Sequence, residues 1–333
     1  MTSSAKRRLF VDIETYSSVD ITKAGAFKYI ESPDFEILLI AYAWDDGPVQ
    51  VLDLTPDYNK TIGEILDRHA EWDVVRGALV NPDVVKVAHN SAFERAAFTR
   101  HLGVDMPPEQ WEDTMIMAAY NGLPMSLDAA GAALQLPDQK MKEGKALINY
   151  FCKPCKPTIT NKGRTRNLPE HAPEKWATFC EYCKRDVEVT QRIYYRLTNY
   201  KVTDFERQVW ALDARINERG VLVDQELASA AISVDDSFRA EHLDELARLT
   251  GLDNPNSVSQ LKDWLEGVGL SCESLNKAGV ADLKKAATDP TTRRVLELRS
   301  LLGKTSTKKY EAMVNAAGAD NRVRGITQYY GAG

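Results

Sequence analysis

A short apolar run, Leu9-Phe10-Val11, ends in Asp12-Ile13-Glu14. Alternate residues of a strand point to opposite faces. As a strand, this run projects Asp12 and Glu14 together and turns Ile13 into a core. An acid at the end of an apolar strand is costly to hold without a partner. The run therefore dictates a buried sheet with a charged site at its edge. Far along the chain, Tyr182-Cys183-Lys184-Arg185-Asp186 sets a tyrosine and an acid four residues apart. In a helix these share a face. Two carboxylates on a strand and a Tyr/Asp pair on a helix can converge on a divalent cation, whose hard character suits carboxylate oxygens.

The rest of the first 200 residues supplies a sheet for that strand. Residues 8–14 are followed by the strand formers Glu36 to Trp44 and by Val49 to Leu54. Between the last two lies Asp45-Asp46-Gly47-Pro48, a turn signal. This predicts a meander of three antiparallel strands. Helical periodicity follows from Thr61 to Leu79, then a short buried strand from Val84 to Ala88. A helix starts after His89-Asn90-Ser91, with Asn90 or Ser91 as its cap, and runs to Leu102. Further helices are predicted at 113–121 and 126–134, an irregular Lys-, Pro- and Gly-rich stretch at 137–173, and a long helix at 173–200. Strands and helices in this order make an α/β layer architecture.

Beyond about residue 201 only helices are predicted, at 204–219, 225–249, 257–267, 280–287 and 291–317. A chain of 333 residues accommodates two domains, and the boundary is placed near Tyr200–Thr203. No stretch approaches the roughly 20 apolar residues of a membrane span. The N-terminus lacks the apolar core of a secretory signal. The five cysteines are an odd number, which argues for a reducing, cytoplasmic setting and against a disulfide framework.

Net charge is −6, yet basic residues cluster. Residues 139–168 carry eight Lys/Arg, namely Lys140, Lys142, Lys145, Lys153, Lys156, Lys162, Arg164 and Arg166, against Glu143 alone. Residues 284–324 carry ten Lys/Arg against four acids. Local basic patches on an acidic chain point to contact with a polyanion, and each patch taken singly also fits a solvated face.

Taken together, the motifs resemble a known family. Val11-Asp12-Ile13-Glu14-Thr15 resembles the first motif of the DEDD 3′–5′ exonucleases. The stretch Val87 to Glu94 (VAHNSAFE) resembles the second, and Tyr182-x-x-x-Asp186-Val187 the third, in its tyrosine version. Their order and spacing resemble the proofreading domain of family A DNA polymerases, over residues 8–200. Leu212 to Asp224, Leu296 to Tyr310 and Asn321 to Tyr330 are similar to the post-exonuclease helix, the end of the thumb and the segment before the palm in phage-type members. The resemblance implies a ribonuclease H-like mixed sheet flanked by helices in residues 1–200, and a helical thumb-like segment in residues 201–333. The palm's metal-binding motifs and the fingers helix have no counterpart. The expectation is a chain that does not polymerise alone, either a truncated piece or one half of a split polymerase.

The same resemblance implies a mechanism: two Mg²⁺ or Mn²⁺ ions, about 3.5–4 Å apart, support attack of water on the terminal phosphodiester of a DNA 3′ end. By resemblance Asp12 bridges both ions, Glu14 and Asp186 complete one site, and residue 94 supports the other. Tyr182 orients the water, and Asn90 and the backbone at Thr15 hold the terminal nucleotide. Position 94 departs from the pattern. The family usually has Asp; Glu94 reaches about 1.5 Å further. Asp113 is the alternative carboxylate, usually structural in the family, and Glu94 is preferred. Lys162, Arg164 and Arg166 are expected to guide a single strand. Arg293, Arg294, Arg299, Lys304, Lys308 and Lys309 are expected to track a primer–template duplex. Cys152-Lys-Pro-Cys155 and Cys180-Glu-Tyr-Cys183 have the spacing of structural zinc pairs. The second pair falls within the active-site helix, so zinc is not expected. Two competing readings are an RNA-trimming nuclease of the same fold and a catalytically weak DNA-binding scaffold that docks a separate palm-and-fingers subunit.

Overall fold

Strand β1 (Arg8–Tyr16) sits at the centre of a five-stranded sheet, with Leu9, Phe10 and Val11 at most 1% exposed. It pairs antiparallel with β2 (Glu36–Trp44), which pairs antiparallel with β3 (Gln50–Asp53). On its other side β1 runs parallel to β4 (Val85–Ala88), and β4 runs parallel to β5 (Trp111–Asp113). The order β3-β2-β1-β4-β5 is the mixed ribonuclease H-like arrangement that the motifs implied. These features come from a computed structural model that describes residues 6–55, 62–137, 141 and 143–330. Thr61, Lys140, Lys142 and the terminal residues 331–333, all invoked above, lie outside the described residues.

The alternation of β1 sorts two cores onto the two faces of the sheet. Leu9, Val11 and Ile13 join Ile40 and Tyr42 of β2. They pack against Val75, Ala78 and Leu79 of α2 (Ile62–Val80) and against Ala97 and Phe98 of α3 (Ala92–Leu102). Phe10 and Tyr16 join Leu39, Ala41 and Ala43 on the opposite face, beneath the long helix Pro173–Leu197. That helix opens with proline at its first position, where no backbone donor is missed. It buries Trp176, Phe179, Tyr182, Cys183, Val187 and Ile193 at helical spacing.

Several elements of the first 200 residues depart from the sequence expectation. Helix α1 (Ile21–Ile30) was unforeseen; Asp20 caps it by accepting from Thr22 N at 3.0 Å, and Gly25 kinks it at φ 80°. Strand β5 was not foreseen and ends on Asp113, the residue expected to begin a helix. The helix α4 (Thr114–Tyr120) starts one residue later, with Asp113 as its cap, and is followed by α5 (Leu127–Ala133). The stretch 137–173 is not wholly irregular. It contains α6 (Gly144–Phe151), whose Leu147 and Phe151 lie one turn apart and buried, before the long helix, now α7. Two turns of amphipathic helix are easily hidden by lysine- and glycine-rich flanks.

Strands also do not end at residue 201. After α8 (Asp204–Arg219), a two-residue strand β6 (Val221–Leu222) pairs antiparallel with β7 (Arg322–Val323). Gly220 makes the turn into β6 at φ 69°, where an added Cβ would lie 2.8 Å from the Val323 carbonyl. The intervening helices are α9 (Gln225–Thr250), α10 (Val258–Gly267), α11 (Lys277–Ala286), α12 (Pro290–Leu302) and α13 (Lys308–Ala316). The single helix expected over 291–317 is two, broken after Leu302. There Arg239 donates to the freed carbonyls of Leu302 and Lys304.

By compactness the chain divides into residues up to Leu222 together with those from Ala316 onward, and Val223–Asn315. The division falls after Leu222, whereas the end of the predicted strands placed it near Tyr200–Thr203. Helix α8 belongs to the first unit because Arg215 pairs with Glu109, Glu218 pairs with Arg95, and Asn217 binds Thr327. The second unit has its own core of Leu246, Leu261, Leu265, Val280, Leu283 and Val295. Among the described residues no helix is long and apolar enough to cross a membrane.

Two buried charges near the sheet make measurable demands. Arg95 is 1% exposed, donates to the Met106 carbonyl at 2.8 Å and pairs with Glu218. Burial lowers the Arg95 pKa and raises that of Glu218, so desolvation outweighs the pairing. Removing one partner strands the other, whereas removing both does not. Glu218→Ala is expected to cost about 3 kcal/mol in denaturant unfolding, and the Arg95→Met/Glu218→Leu double variant to fall within about 1 kcal/mol of the parent.

Lys86 of β4 is fully buried and donates to Asn81 O, Val84 O and Gln110 Oε1 at 3.1, 3.2 and 2.7 Å. Burial, assisted by Lys6, draws its pKa from 10.5 down to about 8. Below pH 8 the ammonium is charged in both folded and unfolded chains. Between pH 8 and 10.5 only the unfolded chain holds the proton, so stability rises with pH. Unfolding measured at pH 7 and 10 should show the parent gaining on the order of 2 kcal/mol relative to Lys86→Met. Equal pH responses would show that Lys86 titrates normally.

Candidate active site

Because Asp12 and Glu14 share the face of Phe10, their carboxylates meet α7 rather than solvent. The strand register shifts between Glu14 and Thr15, at the point where the chain leaves the regular ladder. Asp12 is half-buried and Glu14 buried. Each faces a thiol. Cys183 Sγ lies 4.0 Å from Asp12 Oδ2, and Cys152 Sγ lies 3.9 Å from Glu14 Oε2. Burial pushes both thiols well up, so each is an S–H donor towards its carboxylate. Ligand atoms of Asp12, Glu14 and Cys183 all lie within 4.8 Å of one another.

Glu94 enters from the first turn of α3 at 4% exposure. Burial, with Asp12, Asp113 and Glu14 nearby, pushes its carboxyl well above the usual range. Its Oε2 has no hydrogen-bond partner among the described residues. A buried oxygen without a donor, on a carboxylate whose charging Asp12, Asp113 and Glu14 all oppose, is the environment a cation relieves. The residues therefore fit a divalent metal. Asp12, Glu14 and Glu94 would hold it with Asp186, which lies in the same electrostatic cluster.

Tyr182 and Asp186 sit one turn apart on α7, as their spacing predicted, and the tyrosine hydroxyl bonds the Asp186 carboxylate. Burial first, then Asp186, Glu14 and Asp12, push the phenol upward. The Tyr182 ring is 2% exposed and stacks on Phe179 with centroids 6.1 Å apart. Gly144, at the start of α6, lies against the other side. An added Cβ there would come within 2.6 Å of Tyr182 Cζ and nearer still to Cε2. Gly144 is a site residue that composition concealed, because it sits in the stretch read as irregular.

Asp113 has a different job. Its carboxylate accepts from Asn90 N, Ser91 N, Ser91 Oγ and Met115 N at 3.0, 2.7, 2.9 and 2.9 Å. It holds the turn in which Asn90 takes φ 68° and joins that turn to α4. Ser91 occupies the cap position of α3, but its hydroxyl goes to Asp113 and not to the helix. Each Asp113 oxygen thus accepts two hydrogen bonds, whereas the Glu94 Oε2 has no partner among the described residues.

Of the expected nucleic-acid contacts, Thr15 is buried and shares a hydrogen bond with the Tyr29 hydroxyl at 3.0 Å. It lines a cavity of about 430 Å³ beside Glu14, with Phe93, Ile148, Cys152 and Lys153. Asn90 and Lys162 are exposed. Arg164 bonds Asn167, while Arg166 lies 3.7 Å over the Tyr16 ring and pairs with Glu36 at 2.6 Å. In the second unit Arg294 forks onto Glu245 at 2.7 and 2.8 Å, and Arg293 donates to the Ala287 carbonyl at 2.7 Å. Lys304, Lys308 and Lys309 are exposed. The four zinc-spaced thiols do not come together among the described residues: Cys155 turns to the Arg164 carbonyl, while Cys152 and Cys183 face the acids.

Residues 52–200 match a family model described as the 3′–5′ exonuclease of the DNA polymerase A group. The matched stretch contains Glu94, Tyr182 and Asp186 and begins after β1. The chain is 48% identical over 326 residues to the DNA polymerase of Bacillus phage SP02, an alignment that covers 98% of this chain and 49% of that protein. It thus spans about half the length of the curated relative it matches. Among solved structures it is similar to the POL domain of Pol1 from M. smegmatis, at 12% identity and a TM-score of 0.47, over 97% of this chain and 48% of that one. It is also similar to Trypanosoma brucei RNase D, at 17% identity and a TM-score of 0.41, over 64% and 65%. Residues 52–200 thus carry a match to the 3′–5′ exonuclease domain of the DNA polymerase A group, and the likeness to the phage DNA polymerase extends along nearly the whole chain.

Proposed function

We propose that the chain removes nucleotides from DNA 3′ ends, in the proofreading class, with Mg²⁺ or Mn²⁺ held by Asp12, Glu14, Glu94 and Asp186. The observation that supports this reading is the grouping of Asp12 and Glu14 with the Cys183 thiol of α7, beside a buried Glu94 whose oxygen lacks a donor among the described residues. When bound, a divalent cation supplies Lewis-acid stabilisation of the charge that develops on the scissile phosphodiester.

The chain's own groups position everything else. Tyr182, fixed by Asp186, Phe179 and the space left by Gly144, orients the attacking water through its hydroxyl. The Cys183 and Cys152 thiols hold the rotamers of Asp12 and Glu14. Asn90, presented by the turn that Asp113 braces, and the backbone at Thr15 bind the terminal nucleotide, whose base enters the cavity beside Glu14. Lys162, Arg164 and Arg166 guide the single strand. Arg293, Arg294, Lys304, Lys308 and Lys309 meet duplex phosphates, as a thumb-like role for the helical unit requires. Arg166 and Arg294 already face carboxylates, so the lysines carry more of the salt-dependent attraction. We assign polymerisation to no residue of this chain.

The direct test is incubation of the chain with 5′-labelled single-stranded DNA, and with RNA beside it, in Mg²⁺ or Mn²⁺. Stepwise shortening of the DNA, abolished by a chelator, is expected. Intact DNA would overturn the reading, and preferential shortening of RNA would reassign the substrate.

Substitutions rank the site. Glu94→Gln should lower kcat by at least roughly 100-fold. Asp113→Asn should keep most of the rate but lose about 1–3 kcal/mol of stability, since an amide cannot accept from every donor around it. The reverse ranking in rate would sink the assignment of Glu94. Gly144→Ala should lower kcat about 10-fold or more by displacing the Tyr182 ring, with little change in DNA affinity. Unchanged kcat would remove Tyr182 orientation from the mechanism.

A further inference from the structure

The stretch between α6 and α7 carries cations with an assigned role and one apolar side chain without any. Ile159 is 99% exposed. Apolar side chains exposed singly are common on protein surfaces. This one differs because the loop that carries it is firmly built. Cys155 N donates to the Thr165 carbonyl at 2.8 Å and closes the loop at its neck. Gly163 N donates to the Thr158 carbonyl at 2.9 Å, and Lys162 N to the Ile159 carbonyl at 3.1 Å, which closes the tip. Lys162 and Gly163 take φ 56° and 75° there. Asn161 braces the interior. Its side chain accepts from Thr158 N at 2.8 Å and donates to the Lys156 and Arg164 carbonyls at 2.8 and 3.3 Å. An isoleucine is thus held out in water at the apex of a fixed loop.

The root of the loop and its charge indicate what Ile159 meets. Lys153 and Pro154, just before the neck, line the cavity beside Glu14 and Thr15. Just after the neck, Arg166 covers the Tyr16 ring at 3.7 Å. Both ends are therefore seated at the end of β1, next to the carboxylate site. Ile159 stands four residues beyond Cys155, which limits the reach from neck to tip to about 13 Å. That is the rise of about four nucleotides along one strand of DNA. Residues 152–168 hold Lys153, Lys156, Lys162, Arg164 and Arg166 and no acid, so the surroundings of Ile159 attract a polyanion. An aliphatic side chain between phosphate-binding cations has a use on DNA that a polar one lacks, because apolar wedges inserted at base steps unstack them.

We propose that the loop from Cys155 to Thr165 is a strand-separating wedge: Ile159 inserts at the end of a primer–template duplex and parts its terminal pairs, while Lys156 and Lys162 hold the flanking phosphates. The freed 3′ strand then reaches the cavity beside Glu14. The wedge makes and breaks no covalent bond. Delivery of the strand for hydrolysis rests on the exonuclease reading above, whereas unstacking of the duplex end by Ile159 does not require hydrolysis.

Fluorescence of 2-aminopurine tests the wedge without nuclease chemistry. A primer–template with this base at the primer 3′ end, paired to thymine, is saturated with the full chain in a chelator that blocks hydrolysis. The base brightens when it leaves the stack. The parent is expected to raise its emission severalfold, Ile159→Leu to keep the rise, and Ile159→Ser to cut it at least roughly threefold. Folding is not at stake, since the side chain already stands in water. No rise with the parent, or a full rise with Ile159→Ser, overturns the inference, and the second result leaves the loop to a protein partner. Failure of Ile159→Ser to bind the DNA at all also overturns it, because Ile159 would then supply affinity and not strand separation. A parallel assay in Mg²⁺ compares shortening of single-stranded and duplex 3′ ends, where Ile159→Ser should raise the ratio of the two rates about 10-fold. A fluorescence rise lost with Ile159→Ser, with no DNA shortened by the parent, sinks the exonuclease reading and leaves the wedge standing. Shortening of both DNAs at an unchanged ratio, with equal rises for parent and variant, sinks the wedge alone.

Discussion

Several carboxylates forced into one buried space are the constraint around which the first unit is organised. Burial, with Asp12, Asp113 and Glu14 nearby, raises the cost of charging Glu94, and Asp186 adds to the field on the Tyr182 hydroxyl and the Cys183 thiol. Burial at this density is unfavourable without compensation. The surrounding structure answers with S–H donors from Cys183 and Cys152 and a tyrosine hydroxyl on Asp186, and leaves one Glu94 oxygen without a partner among the described residues.

Rigid support for that arrangement comes from residues with no chemistry of their own. Gly144 gives α6 the close approach that fixes the Tyr182 ring. Asp113 ties the Asn90 turn, the start of α3 and the start of α4 through four accepted hydrogen bonds. Arg95 follows Glu94 in sequence and anchors α3 to α8 through Glu218. The segment after the exonuclease motifs is thereby part of the same packed unit, and β6 pairing with β7 returns the residues near 322 to it.

Much of this was legible in the residues themselves. Strands β1 to β4 follow from apolar runs and the turn at residues 45–48, because strands buried on both faces read as short continuous apolar stretches between turn signals. Helix α7 follows from its apolar stripe and opening proline. Elements that escaped were those whose stability comes from elsewhere. Strand β5 has three residues and exists because β4 offers it an edge. Helix α6 is two turns long and is held by the face of α7 that it covers. The break after Leu302 is stabilised by Arg239, more than sixty residues away in sequence. Local periodicity carries no record of such partners.

For the site, spacing alone determined that Asp12 and Glu14 share a strand face and that Tyr182 and Asp186 share a helix face, because backbone geometry fixes both periods. Spacing also placed Glu94 at a helix start but left Asp113 as its rival. The tertiary structure sets the two apart, filling the Asp113 oxygens with backbone donors and leaving a Glu94 oxygen without one among the described residues. The same is true of the cysteines. Their spacing spelled zinc pairs, whereas packing turned Cys152 to Glu14 and Cys183 to Asp12, because a thiol's partner is set by which chain segments the fold brings beside it.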